Sequence, residues 1–144
     1  MYKKILFVSV ILFFSLHLFA QTPASSSTAT HRVVLQLSSN DTLVWKGIMN
    51  NIKNLKNAWG DSVFIEVVAH GPGIEFLVIG KTTQQERIAY FKSKGVVFAG
   101  CENTMRERNI SKENMIPEAG FVKSGVGEVI LKQEQGWSYI KVGF

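Results

Sequence analysis

The chain has 144 residues, 16 of them basic and 11 acidic, for a formal net charge of +5. Its basic residues are scattered, with no Lys/Arg stripe interleaved with aromatics, so nothing argues for a nucleic-acid partner. It carries a single cysteine, which excludes an intramolecular disulfide and leaves stability to the core.

Lys3 and Lys4 precede an apolar run from Ile5 to Phe19, and Ala20 offers a small residue for cleavage, which is the pattern of a secretory signal over residues 1–20. The run is shorter than the roughly 20 residues a spanning helix needs and contains Ser9, Ser15 and His17, so no stable membrane insertion is expected after cleavage. Export, to a periplasmic location, is the expectation, with the mature chain starting near Gln21. What remains is about 124 residues, the size of one domain with a single core. Residues 21–31 are small and polar and form a flexible tether, and residues 32–144 form the domain.

Val33 to Leu37 is a short β-rich run. After the polar loop Ser38 to Asp41 come Val44, Ile48, Ile52, Leu55 and Trp59 at helical spacing, with Asp41 or Asn40 as the cap. Val63 to Ala69 is a second strand, apolar except for Glu66, which suits a central position covered on both faces. Ile74 to Ile79 is apolar without a clear period, so a short helix and an extra strand both remain open. Thr83 followed by Glu86 has the spacing of a capping box, and the helix it opens stops at Gly95. Val96 to Ala99 is the third strand, Cys101 follows it directly, and Glu102 to Arg108 begins a helix. Phe121 and Val122 make a fourth strand, Ser124 starts a helix that Gly136 stops, and Trp137 to Val142 is a fifth strand at a sheet edge.

Strands alternating with helices predict a three-layer α/β/α sandwich on a mainly parallel five-stranded sheet, with ligands gathering at the carboxyl ends of the strands. Four loops arrive there. They bring Cys101, at a strand-to-helix turn where backbone N–H groups favour a thiolate, and His70, which could accept its proton if the two strands are neighbours. Glu102 works against the thiolate, and an inert buried cysteine is the competing reading. A larger shift would need a cation, with protonated His70 the first candidate and Arg106 the next. Gly71, Gly73, Asn103, Thr104, Ser124 and Gly125 are the candidate binding positions. Gly71-Pro72-Gly73 and Gly125-Val126-Gly127 complete neither GxGxxG nor a P-loop, so no cofactor is implied. His31, His70 and Cys101 have no metal-ligand spacing.

Three stretches carry a resemblance: Val67 to Ile74 with its Ala69-His70-Gly71-Pro72-Gly73, Gly95 to Met105 with its Gly100-Cys101-Glu102-Asn103-Thr104, and Val122 to Glu128 followed by Gln135 to Ile140. In this order they resemble the DsrE/DsrF-like family of small sulfur-relay proteins. The resemblance implies a homotrimer or homohexamer and a cysteine, matched here by Cys101, that carries sulfur as a persulfide between a donor and an acceptor protein. It assigns no role to His70. Export departs from the cytoplasmic relay members. Two functions therefore stand: a sulfur carrier or sulfurtransferase acting through Cys101, and a non-enzymatic oligomeric module binding a small ligand or partner, with Cys101 inert.

Overall fold

The computed structural model describes residues 30–143. The expected signal, residues 21–29 of the expected tether, and Phe144 lie outside the described residues. Strands β1 (His31–Leu37), β2 (Val63–Ala69), β3 (Val97–Cys101), β4 (Gly120–Val122) and β5 (Ser138–Val142) form one sheet in the order β4-β3-β2-β1-β5, parallel throughout. Around it lie helices α1 (Thr42–Trp59), α2 (Gln85–Ser93), α3 (Glu102–Glu107) and α4 (Gly125–Glu134). The expected three-layer α/β/α fold is found. β1 begins at His31, whose ring stacks on Trp59 at 3.9 Å, so the domain starts one residue before the expected boundary.

The layers follow from the route of the chain. From β1 to β4 each strand is laid beside the last in one direction, and right-handed crossovers then put α1 and α2 on the same face. The step from β4 to β5 returns across the sheet, so α4 lies on the opposite face, against β1, β2, β3 and β5. Alternation along the strands sorts the core accordingly. Val33, Leu35 and Leu37 of β1 join Ile65 and Val67 of β2 beneath Trp45, Ile48 and Ile52 of α1. Val34 and Val68 point the other way, toward Val129 of α4. β2 is central, as its near-continuous apolar run predicts, and its one charge, Glu66, is only 4% exposed.

Asp41 caps α1, accepting the Leu43 N–H at 2.8 Å. The ambiguous segment resolves for most of its length as a short helix, of the 3-10 type. Gly71–Leu77 forms a 3-10 turn, followed by a single antiparallel bridge from Val78 to Met115. Ile74, Phe76 and Leu77 are all fully buried there, while the apolar Ile79 is exposed, which explains the missing period: burial does not follow polarity at a regular spacing. The capping box of Thr83 and Glu86 does not form. α2 opens after Gln84, which makes no side-chain cap bond, while the Thr83 hydroxyl accepts from Gln84 Nε2. At the other end Gly95, at φ +82°, carries the paired closing bonds from Gly95 N–H to Lys92 O and from Val96 N–H to Phe91 O. Gly136 ends α4 in the same way. β3 runs two residues further than expected, so Cys101 closes the strand instead of following it.

Candidate functional site

Cys101 has two structural duties. It is the last residue of β3, paired with Val122 of β4, and the N-cap of α3. Its Sγ accepts the N–H of Thr104 at 3.5 Å and the N–H of Gly125 at 3.1 Å. Gly125 is the first residue of α4, positioned by Ser124, whose hydroxyl accepts the Gly127 N–H at 3.2 Å. The chain leaving β3 turns toward the α1 side, where Met105 enters the core, and the chain leaving β4 turns toward α4 on the other. Neighbouring strands whose connections part to opposite faces open a crevice at their carboxyl ends, the favoured ligand position of such sheets. Cys101 sits at that point with two helix N-termini aimed at its sulfur, and orphan N–H groups at helix starts favour negative charge.

Burial is the largest influence on the thiol and pushes its pKa up, but the donors outweigh it and hold it below the usual cysteine value. They are the Thr104 N–H and hydroxyl, the Gly125 N–H, and the Asn103 N–H, which also reaches Lys123 O at 3.3 Å. The Thr104 hydroxyl can point its hydrogen at sulfur because its oxygen accepts the Gly71 N–H at 3.0 Å. Glu102, expected to oppose the thiolate, pairs instead with Lys112 at 2.8 Å. Arg106 donates to Asn103 Oδ1, so it is not the thiolate's cation. The thiol is also not open to solvent: Cys101 is 4% exposed in the isolated chain, whereas the helix-start argument anticipates an accessible one.

β2 and β3 are neighbours, with Ala69 opposite Gly100, so His70 stands next to Cys101 on the α4 face. A Cβ built on Gly125 would lie 2.9 Å from His70 Cβ and 3.2 Å from Cys101 Cβ, so this glycine fills the space above both side chains as only a glycine can. The His70 ring bonds elsewhere. Its Nε2 is 2.7 Å from Nε2 of Gln36 on β1, and Gln36 Oε1 accepts the hydroxyl of Tyr139 on β5. Burial lowers the His70 pKa, keeping the ring neutral. The expected cationic partner of the thiolate is therefore absent at this position.

The other candidates separate by role. Thr104, Gly71, Ser124 and Gly125 surround the sulfur directly or at one remove. Asn103 contributes its backbone while its side chain is exposed. Gly73 serves packing: a Cβ there would meet Leu37 O at 2.3 Å. Sequence reasoning missed Gln36 and Tyr139, which come together only through the β1–β5 register that sets Gln36 beside Lys141. Among the described residues no group of three or more His, Cys, Asp or Glu could hold a metal ion. A cleft of about 670 Å³ between α1 and α2, lined by Lys53, Lys56, Arg87 and Tyr90 among others, includes none of the site residues.

Comparison with known proteins agrees with this fold. A protein of unknown function from Methanobacterium thermoautotrophicum is 30% identical, superimposes with a TM-score of 0.73, and is matched over 77% of this chain and 98% of its own. A conserved protein of unknown function from Bacteroides thetaiotaomicron shares the fold, with a TM-score of 0.59 at 12% identity over 81% of this chain and 99% of its own. No curated protein matches significantly. The model of the DsrE/DsrF-like family matches residues 17–142, and the chain therefore belongs to that family, which suggests a sulfur-relay-related role.

Proposed function

We propose that this protein is a sulfur carrier or sulfurtransferase that accepts sulfane sulfur on Cys101 as a persulfide. The observation that carries this reading is the convergence of the Thr104 and Gly125 N–H groups on Sγ, which stabilises the nucleophilic thiolate. The thiolate attacks the outer sulfur of a donor persulfide. The Sγ–S bond forms as the donor S–S bond breaks, and the electron pair leaves with the donor as a thiolate. Delivery repeats the exchange, with an acceptor thiolate attacking the outer sulfur held on Cys101. Donor and acceptor are proteins or small thiols. The protein acts after export and as a homotrimer or homohexamer.

The test is intact-mass analysis after brief exposure of the mature protein to inorganic polysulfide. One added sulfur on the wild type and none on Cys101→Ser is expected. No uptake, or equal uptake by both, overturns the reading. Burial of Cys101 to 4% favours the second reading, an oligomeric module that binds a small ligand or partner with Cys101 inert. Under it the native thiol resists every alkylating reagent until the protein is unfolded.

A further inference from the structure

The polar chain from Tyr139 through Gln36 to His70 crosses three adjacent strands, β5, β1 and β2, on the face that carries Cys101. Its hydrogens can be assigned in sequence. The Tyr139 O–H donates to Gln36 Oε1, so the Gln36 amide nitrogen faces His70, and an amide nitrogen only donates. His70 Nε2 must then be the acceptor. A neutral imidazole has one N–H, which therefore resides on Nδ1. The two ring nitrogens diverge, so with Nε2 turned to β1 the Nδ1–H faces away from β1, and β3 with Cys101 lies on the other side of β2. Nδ1 has no hydrogen-bond partner among the described residues.

We propose that Gln36, oriented by Tyr139, is a positioning residue that fixes His70 as the Nδ1–H tautomer, so that His70 is a hydrogen-bond donor to the outer sulfur of a Cys101 persulfide and not the base for its thiol. This rests on the carrier reading above. The persulfide extends the side chain by one S–S bond, about 2 Å, and its negative charge lies on the outer sulfur, beyond the N–H groups that serve Sγ. A neutral imidazole N–H next to Gly125 supplies the donor that the backbone does not. The same arrangement leaves no lone pair on His70 to take the Cys101 proton, because Nε2 is occupied and Nδ1 is protonated.

The assignment is read on the intact mature protein by long-range proton–nitrogen NMR of labelled histidine. His70 is expected as Nδ1–H in the wild type and displaced toward Nε2–H in Gln36→Leu and in Tyr139→Phe, a change of one exposed oxygen that spares the fold. Separately, the protein is loaded with inorganic polysulfide: the Cys101 thiolate attacks a sulfane sulfur, and the shortened polysulfide departs with the electron pair of the broken S–S bond. The lifetime of the added sulfur should fall about fivefold in Gln36→Leu and in His70→Ala, the factor for one hydrogen bond of about 1 kcal/mol. Nε2–H in the wild type, or an unchanged lifetime in both variants, overturns the proposal and leaves the carrier reading standing. Failure of wild-type Cys101 to take up sulfur overturns both.

Discussion

Gly125 decides what Cys101 can be. Its N–H lies 3.1 Å from the sulfur, and its missing side chain leaves room for both His70 and Cys101. Gly125→Ala forces backbone at the start of α4 away from β3, an overpacking of about 1–3 kcal/mol, and withdraws the donor. The expected result is a lower urea midpoint and an alkylation midpoint that climbs back toward the free-cysteine value of about 8.5. In the wild type that midpoint falls below about 8.5, and because the thiol is buried, small reagents such as iodoacetamide outpace bulky maleimides. His70→Ala should leave the midpoint where it is, since the donors that hold the Sγ thiolate are Thr104, Gly125 and Asn103 and the neutral His70 is bonded to Gln36. A marked rise in His70→Ala would restore the proton-acceptor role that sequence position implies. The cysteine was legible because a strand-to-helix turn supplies N–H groups wherever it occurs. Its second donor came from another turn, and Gln36 and Tyr139 from strand register, neither of which a linear pattern encodes.

At the scale of elements, α4 is held to the sheet by a charged contact as much as by its small apolar cluster. Lys132 Nζ lies 2.7 Å from Glu66 Oε2 and 3.4 Å from Glu128 Oε1, and stands over the Trp137 ring at 4.6 Å. Burial raises the Glu66 pKa and Lys132 partly offsets it, while Glu66 and Glu128 raise that of Lys132 against its own burial. Lys132→Met leaves Glu66 buried and unpaired, which costs about 3–5 kcal/mol. Adding Glu66→Leu should recover most of that loss. The pH dependence has a definite sign. A Glu whose folded pKa is raised binds its proton more tightly in the native state, so stability is present at low pH and lost as pH rises through the folded value. The Lys132→Met deficit, followed by urea unfolding, should therefore shrink on acidification, and a constant deficit would mean that Glu66 is hydrated. Sequence period identified α1, which divides core from solvent, and a near-continuous apolar run identified β2, which is central and covered on both faces. The pattern was silent on Ile74 to Ile79, where Ile74, Phe76, Leu77 and Val78 are buried without a regular solvent face, and misled at Thr83, where the turn before α2 aims the hydroxyl at Gln84 instead of the helix start.

For the whole molecule, the strand order leaves the two faces unequal. α1 and α2 cover one, while α4 alone crosses the other and leaves Phe64 and Val97 of the sheet exposed beside it. α4 itself turns Val126 and Ile130, one helical turn apart, to solvent, and Tyr139 lies at the β5 edge of the same face. Neighbouring apolar side chains of this kind mark a surface that associates, and aromatic residues are enriched in such interfaces. Composition and period do not encode this surface, since which side of each strand goes uncovered depends on the direction of the last crossover. Export, whose expected signal lies outside the described residues, is tested by N-terminal mapping of envelope material: Gln21 as the first residue is expected, and retention of Met1 would replace a cleaved signal with an anchor. Self-association is tested by light scattering at micromolar concentration, where a trimer or larger assembly is expected. Ile130→Glu places a charge on the exposed ridge of α4. Because the side chain is about half exposed in the single chain, the fold should change by no more than about 0.5 kcal/mol, whereas an interface that buries it would lose affinity by orders of magnitude. The variant should run as a monomer with an unaltered circular dichroism spectrum. An assembly untouched by Ile130→Glu and by Phe64→Glu would place the contact on another face, and a monomeric wild type would remove self-association from the proposed function.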